Sequence, residues 1–408
     1  MKTVAKAFKE YYQTLDLNEL AIKELHQREI ALIPIGHETM IRHISFPDTF
    51  ALKGYLEDNV PAHVYYSSAY YKEPQAPDMN KKVWSGADLI FDVDADHIPT
   101  PCKADHDVWS CLDCKAKGVG FPPESCPKCG MKRIETSTWV CERCLEVAKE
   151  EVFKLIDEYL IPDFGVSLKD VEICFSGHRG YHLHVQTDDV KMLSTDGRRE
   201  IADYVRGIGI DPKHQGFRVM RDGSITGPDL RDGGWRGRFA RSVYTYLSRC
   251  TLEELKEVVG SEDVANTIMR NKERLLRGIM ANPPSWVGLR GVELGRTLRI
   301  ARAAVKDVVC NIDERVTIDI KRLIRYPNTL HGKSGLKAAR ISYSDLESFD
   351  PLKDAVVFKS GSVKVYVRGA PRVRIGDYEV GPLKDTEIEV PEGLGMYLLC
   401  KGAAELRV

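Results

Sequence analysis

Asp88 to Asp96 reads Asp-Leu-Ile-Phe-Asp-Val-Asp-Ala-Asp. Apolar Leu89, Phe91 and Val93 alternate with Asp88, Ile90, Asp92 and Asp94, the period of a strand. Asp92 and Asp94 therefore share one side of a sheet, roughly 7 Å apart along the strand. Aspartate is a poor strand former, so two on one face of an apolar strand need a reason. Hard divalent cations such as Mg²⁺ or Mn²⁺ prefer oxygen ligands, and paired carboxylates suit them. The competing reading is a solvated strand end running into a turn at Asp96-His97-Ile98-Pro99.

A second set of ligand-type residues follows at once. Seven of the eleven cysteines lie between Cys102 and Cys144, and three pairs there are Cys-x-x-Cys. With one histidine they make eight candidates: Cys102, His106, Cys111, Cys114, Cys126, Cys129, Cys141 and Cys144. Eight soft or borderline ligands suffice for two tetrahedral zinc sites. Complete four-ligand sets leave no open position, so the zinc is expected to be structural. Two partitions fit the spacing. In one, Cys111 to Cys129 forms a ribbon enclosed by a site of Cys102, His106, Cys141 and Cys144. In the other, Cys102 to Cys114 and Cys126 to Cys144 form sequential sites.

A third stretch, Ser176-Gly-His-Arg-Gly180, joins two strand-like runs, Val171–Phe175 and Tyr181–Val185. Its glycines allow close backbone approach, and Ser176, His178 and Arg179 offer donors, a chemistry suited to phosphate. The alternative is a hairpin turn whose serine and glycines serve geometry alone.

The elements that must carry these residues can be read from the same chain. It has 408 residues, 43% hydrophobic and 29% charged, which predicts an ordinary globular protein of two or three domains. No apolar run approaches a membrane span, and the N-terminus lacks a signal-peptide core, so a cytoplasmic protein with no membrane partner is expected. The net charge of −1 means that any polyanion must be met by a local basic surface. Cys174, Cys250, Cys310 and Cys400 are expected as buried small hydrophobes. Residues 1–30 read as helical, Ile30–Ile35 and Met40–Phe46 as strands, and 145–160 as an amphipathic helix ended by Pro162. Lys213 to Arg249 is rich in arginine and could track phosphates or be a solvated loop. Thr251 and Glu254 have capping-box spacing, with helices expected to Met280 and again over 294–304. Val316 to Arg325 reads as a helix, which makes Asp319 a solvated helix carboxylate. Val356–Phe358, Val363–Val367, Val373–Ile375 and Ile388–Val390 read as short strands of a closing element without a chemical motif.

Three motifs in order carry a resemblance. Phe91-Asp-Val-Asp94, the Cys/His module before Ser176-Gly-His-Arg-Gly-Tyr-His182, and Asp313 upstream of Leu323-Ile-Arg-Tyr-Pro-Asn-Thr-Leu-His331-Gly-Lys333 resemble the catalytic small subunit of archaeal and eukaryotic DNA primase. His331-Gly-Lys-Ser-Gly335 and Tyr65-Tyr-Ser-Ser-Ala-Tyr70 bring the likeness nearer to archaeal members. The resemblance implies an α/β (α+β) fold with a mixed or antiparallel sheet flanked by helices, a zinc module and a helical insertion. It implies that Asp92, Asp94 and Asp313 hold catalytic Mg²⁺ or Mn²⁺. It places Ser176, His178, Arg179, His182, Arg325, His331 and Lys333 around a nucleoside triphosphate. His178 falls where some members carry arginine. Cys141-x-x-Cys144 before the helix favours the enclosing zinc site, with the ribbon as an insertion.

The expected organisation is a catalytic part over 1–190 with the zinc module at 97–146, a helical accessory insertion over 191–300, a second catalytic part over 301–350 and a β-rich element over 351–408. The implied activity is template-directed synthesis of short RNA primers on single-stranded DNA by two-metal nucleotidyl transfer. The implied partners are that template, an RNA or DNA primer and a large subunit carrying an iron–sulfur cluster. A related polymerase that only extends existing ends, a non-catalytic zinc-ribbon protein and a metal-dependent nuclease are the alternatives.

Overall fold

The computed structural model describes residues 2–407. The chain divides into two compact units: Met1–Val152 with Ser167–Arg199 and Ile312–Val408, and Phe153–Val166 with Glu200–Asn311.

The first unit is α+β. Its eight principal strands are β1 (Ile30–Pro34), β2 (Ile41–Ile44), β3 (Pro61–Ser67), β4 (Leu89–Asp94), β5 (Val171–Phe175), β6 (Gly180–Val185), β7 (Leu323–Arg325) and β8 (Arg340–Ile341). They form two four-stranded sheets, ordered β7-β3-β1-β2 and β8-β5-β6-β4. Every pairing determined by register in them is antiparallel. Register decides which side chains meet. In the second sheet His182 lies opposite Asp92, and Gly180 opposite Asp94. In the first, Arg325 lies opposite Tyr65. Neighbouring side chains across such pairs are within contact range.

Ile30, Val64, Tyr66 and Ile324 of the first sheet pack with Phe8 and Tyr12 of the N-terminal helix (Lys2–Thr14) and Leu52 and Leu56 of Thr49–Asn59. Asp48 starts that second helix by accepting from the Ala51 amide. Between the sheets Tyr66 stacks on His184, with ring centroids 5.5 Å apart. Beside them the buried Arg28 guanidinium donates to the carbonyls of Ser67 and Ser68 and to the Asp88 carboxylate. A buried charge is tolerated when its donors are used in this way.

Two expectations are corrected here. The helix expected over Val316–Arg325 is short, Glu314–Ile318, and Leu323–Arg325 is a strand. Ile320, Leu323 and Ile324 have the helical spacing i, i+3, i+4, but pairing of Leu323–Arg325 with Tyr65–Ser67 overrode it. Asp319 is thus the residue that ends the helix, half-buried and in extended backbone. Val356–Phe358 is not a strand. Its apolar character serves packing: Phe358 stacks on Phe8 at 6.1 Å. The other C-terminal runs fall within β9 (Ser362–Ala370), a short hairpin strand Val373–Ile375, and β10 (Leu383–Pro391). To these the structure adds a helix, Glu392–Cys400, buried from Gly393 through Leu398. A helix that is apolar all round gives no amphipathic period by which to find it.

The second unit is mainly helical. Thr251 and Glu254 form the expected capping box ahead of Leu252–Val259. The second half of the arginine-rich segment is a helix, Gly234–Arg249, while most of Lys213–Gly233 is turn and loop. Its arginines are partly engaged: Arg238 is buried against Asp163 at 2.6 Å, and Arg231 and Arg236 pair with Asp229 and Asp232. Among the described residues no helix is long and apolar enough to cross a membrane.

Candidate active site and metal centres

Strand β4 presents Asp92 and Asp94 on one side, both half-buried. Asp313 joins them through the backbone: its amide donates to the Asp92 carbonyl at 2.9 Å. The Asp313 carboxylate accepts from the Arg315 amide and starts the Glu314–Ile318 helix. Burial, then the like charges of Asp94 and Asp313, push the Asp92 carboxyl up to about 7. Carboxylates crowded in this way are the donor set a divalent cation would relieve. Oxygen atoms of the three do not all lie within 4.8 Å of one another; among the described residues only the two Cys/His sets meet that criterion.

Beside the aspartates lies a cleft of about 390 Å³. Ser176, His178, Arg179, His182, Arg325, His331 and Lys333 all line it, with Asp92 and Asp94. Three loops and strands supply them. The β5–β6 turn is closed by the Ser176 hydroxyl, which accepts from the amides of His178, Arg179 and Gly180. The geometric reading of this serine is therefore fulfilled, and those amides are already used. Gly177 has φ +78°, and a Cβ there would stand 2.9 Å from the His331 Cβ. Glycine is what lets the two loops touch. Ser334 ties the same loops by donating to the Gly177 carbonyl.

Arg179 bonds to the Thr138 hydroxyl and pairs with Asp96, with Asp94 3.7 Å away. His182 Nε2 is 3.5 Å from Asp92 Oδ1. His178 and His331 stack face to face at 4.7 Å, and His63 meets His331 edge-on at 4.8 Å. Burial and nearby cations hold all four imidazoles below their ordinary range, His63 and His182 at about 3 and His178 and His331 well below the usual imidazole value. They are neutral at pH 7. His331 Nδ1 accepts from the Lys333 amide, which leaves Nε2 to carry its proton.

Sequence reasoning did not single out His63 or Arg322, which line the cleft with Tyr65, a tyrosine read mainly as core with base stacking as the weaker alternative. Arg325 donates to His63 Nδ1 at 3.0 Å and to the Tyr65 hydroxyl at 3.3 Å. The alternation of His63 and Tyr65 on one strand was the available signal. Lys401 was missed as well; it reaches His178 at 3.2 Å from the C-terminal segment.

The Cys/His module sorts into two sets: Cys102, His106, Cys141 and Cys144, and Cys111, Cys114, Cys126 and Cys129. The nested partition is the one the structure adopts. Ligand atoms within each set lie within 4.8 Å of one another, and all these cysteines are free thiols. Either set could hold a metal ion. Asp107 bonds His106 Nδ1 at 2.9 Å, which turns Nε2 toward the sulfurs, the outer-shell carboxylate usual at such sites. A larger cavity, about 880 Å³, lies within the second unit. Arg241, Arg249 and Lys306 on its wall are offset by Glu158, Glu254, Glu257 and Asp307, so no single ligand charge is favoured.

Fold and cleft together define an α+β protein with adjacent carboxylates, a cationic slot and a Cys/His module. A family model described as DNA primase small subunit matches residues 128–343. The chain is 33% identical to the DNA primase small subunit PriS of Methanothrix thermoacetophila, over 98% of this chain and 97% of that one. It is 34% identical to PriS of Methanococcoides burtonii, over 98% and 96%, and 29% identical to PriS of Nitrosopumilus maritimus, over 100% and 98%. The chain belongs to the DNA primase small subunit family, and its relatives are of the archaeal type.

Proposed function

We propose that this chain is the catalytic subunit of a primase, joining nucleotides on single-stranded DNA to make short RNA primers. One observation carries the reading: Asp92 and Asp94 line a cleft whose other wall is cationic, and the Asp313 amide is bonded to the Asp92 carbonyl beside it. Mg²⁺ or Mn²⁺ held by these aspartates would activate the attacking 3′-hydroxyl and neutralise charge on the reacting phosphates. The protein's own groups do the rest. Arg325 and Lys333 complement the triphosphate charge, and the neutral His182 and His331 offer N–H donors without repelling cations. Arg179 exchanges its carboxylate contacts for phosphate. The two Cys/His sets fit structural zinc, since each supplies four ligands.

Template, primer strand and nucleoside triphosphates are the proposed ligands, and a large primase subunit is the proposed partner on the strength of family membership. The test uses the purified chain, an unprimed single-stranded template, ribo- or deoxynucleotides, and each metal in turn. Products begun from nucleotides alone support the reading. Extension of supplied ends without initiation would replace it with a polymerase that cannot start chains.

A further inference from the structure

Lys401 follows the buried Glu392–Cys400 helix, in a segment with no sequence motif. Its Nζ donates to His178 Nε2 at 3.2 Å and to the Thr138 carbonyl at 3.2 Å. Trp139 and Tyr397 flank it, with ring centroids 5.5 and 6.0 Å away. An ammonium has three donors, and these contacts use two. Among the described residues no carboxylate lies within ion-pair distance of it, and the same is true of Arg325. Arg325 instead rests on Tyr65 and His63. The nearby Arg179, by contrast, is committed to Asp94 and Asp96. The carboxylates of Asp96 and Asp107 act on Lys401 only from beyond ion-pair distance, so this half-buried cation, next to others of its sign, keeps a local charge that an anion would balance. Burial, then Arg179, lowers Lys401 to about 8, with Asp96 and Asp107 opposing the shift.

We propose that Lys401 is a positioning residue of the nucleotide site, acting through His178 to favour a polyphosphate in the cleft. Donation from Lys401 occupies His178 Nε2, so the proton of the neutral ring sits on Nδ1. The ring thus fixed stacks on His331, which lines the same cleft. The unbalanced ammonium behind it adds attraction for the phosphates. The C-terminal element is in this view part of the nucleotide pocket, and Thr138 links it to the end of the Cys/His module. The inference rests on the triphosphate reading of the cleft.

The test measures ATP–Mg²⁺ binding to the full chain directly, then the nucleotide KM and kcat on a primed template. Wild type, Lys401→Met, Lys401→Gln and Lys401→Arg are compared, each also in a His178→Ala background. Melting temperature and zinc content verify folding. Expected are about tenfold weaker ATP binding and a matching rise in KM for Lys401→Met, with kcat changed by less than about threefold. Lys401→Gln, which keeps a donor without charge, should fall between, and Lys401→Arg should recover most of the affinity. In the His178→Ala background the Lys401→Met effect should shrink to about threefold, the remainder being the charge attraction that acts without the ring. Wild-type affinity and KM in a folded Lys401→Met or Lys401→Gln chain would overturn the proposal and leave the cleft assignment standing. Full additivity with His178→Ala would overturn the route through that ring. Failure of the wild-type chain to bind ATP would remove the cleft assignment and this inference together.

Discussion

The amide of Asp313 donates to the carbonyl of Asp92 over 2.9 Å, so the backbone itself brings the third aspartate to the paired ones. The arrangement also separates folding from chemistry. Asp313→Asn keeps an oxygen to accept from the Arg315 amide, and so keeps the start of the Glu314–Ile318 helix. Asp94→Ala loses a turn bond to the Asp96 amide and a 3.7 Å contact with Arg179, which keeps its pairing with Asp96. Both variants are expected to lower nucleotide joining by about three orders of magnitude or more, if the carboxylates hold the cations. Far-ultraviolet circular dichroism and zinc content should match wild type. Undiminished synthesis by either folded variant removes that carboxylate from the metal assignment.

The nested Cys/His sets should respond differently to mutation. The double variant Cys111→Ser with Cys129→Ser is expected to lower bound zinc from about two ions per chain to about one. Extension of a primed template should stay within about threefold of wild type, since none of these residues lines the cleft. Cys141→Ser with Cys144→Ser should also release about one zinc, but with a larger loss of extension. The reason is Thr138, just before Cys141, which bonds both Arg179 and Lys401. Zinc quantification and primed extension on the same preparations check both statements. Equal activities for the two double variants would show that the Thr138 contacts do not matter.

Much of this site could be read from the sequence because its signals were local. Asp92 and Asp94 stood out as paired charges in a strand, and Ser176 through Gly180 as a glycine-bounded turn. The nested zinc partition needed distances, since two partitions fit the spacing equally. Val316–Arg325 was misread because Ile320, Leu323 and Ile324 have helical spacing, and only the non-local pairing of Leu323–Arg325 with β3 makes that end a strand. Lys401 was not legible at all. A single lysine after an apolar helix carries no pattern, and its place beside His178 depends on how the C-terminal segment packs.

Gly177→Ala tests the contact between the Ser176–Gly180 and His331–Gly335 loops. At φ +78° an alanine is strained by about 1–2 kcal/mol, and its Cβ would press on that of His331 at 2.9 Å. The Leu336 carbonyl at 3.2 Å closes the other direction. The expected result is a lower melting temperature together with a nucleotide KM raised several-fold, because His331 and its stacked partner His178 must shift. A control at Gly209 has positive φ but open space around its Cβ. Gly209→Ala should therefore lower stability without moving the KM. Equal effects on KM at both sites would mean that the loop contact is not transmitted to the cleft.

Arg28 and Asp88, both buried, should set the acid limit of the first unit. Their atoms meet at 2.8 Å, and the Tyr70 hydroxyl donates to the other Asp88 oxygen at 2.6 Å. Burial alone would raise the Asp88 carboxyl, but the His184 hydrogen bond and the Arg28 charge prevail and hold it at about 2. A carboxylate depressed below its unfolded value of 3.8 stabilises the fold above that value. The stabilisation is lost as pH falls from about 4 towards 2. Asp88→Asn leaves the Arg28 charge buried without its partner, at an expected cost of about 3–5 kcal/mol near neutral pH. Arg28→Met combined with Asp88→Asn should cost less than Asp88→Asn alone, since no unpaired charge is left buried. Denaturant unfolding at pH 7 and pH 3 reads both effects. The gap between wild type and Asp88→Asn should narrow at the lower pH, where the wild-type carboxylate has begun to lose its advantage; a gap that widens would reverse the sign assigned to Asp88.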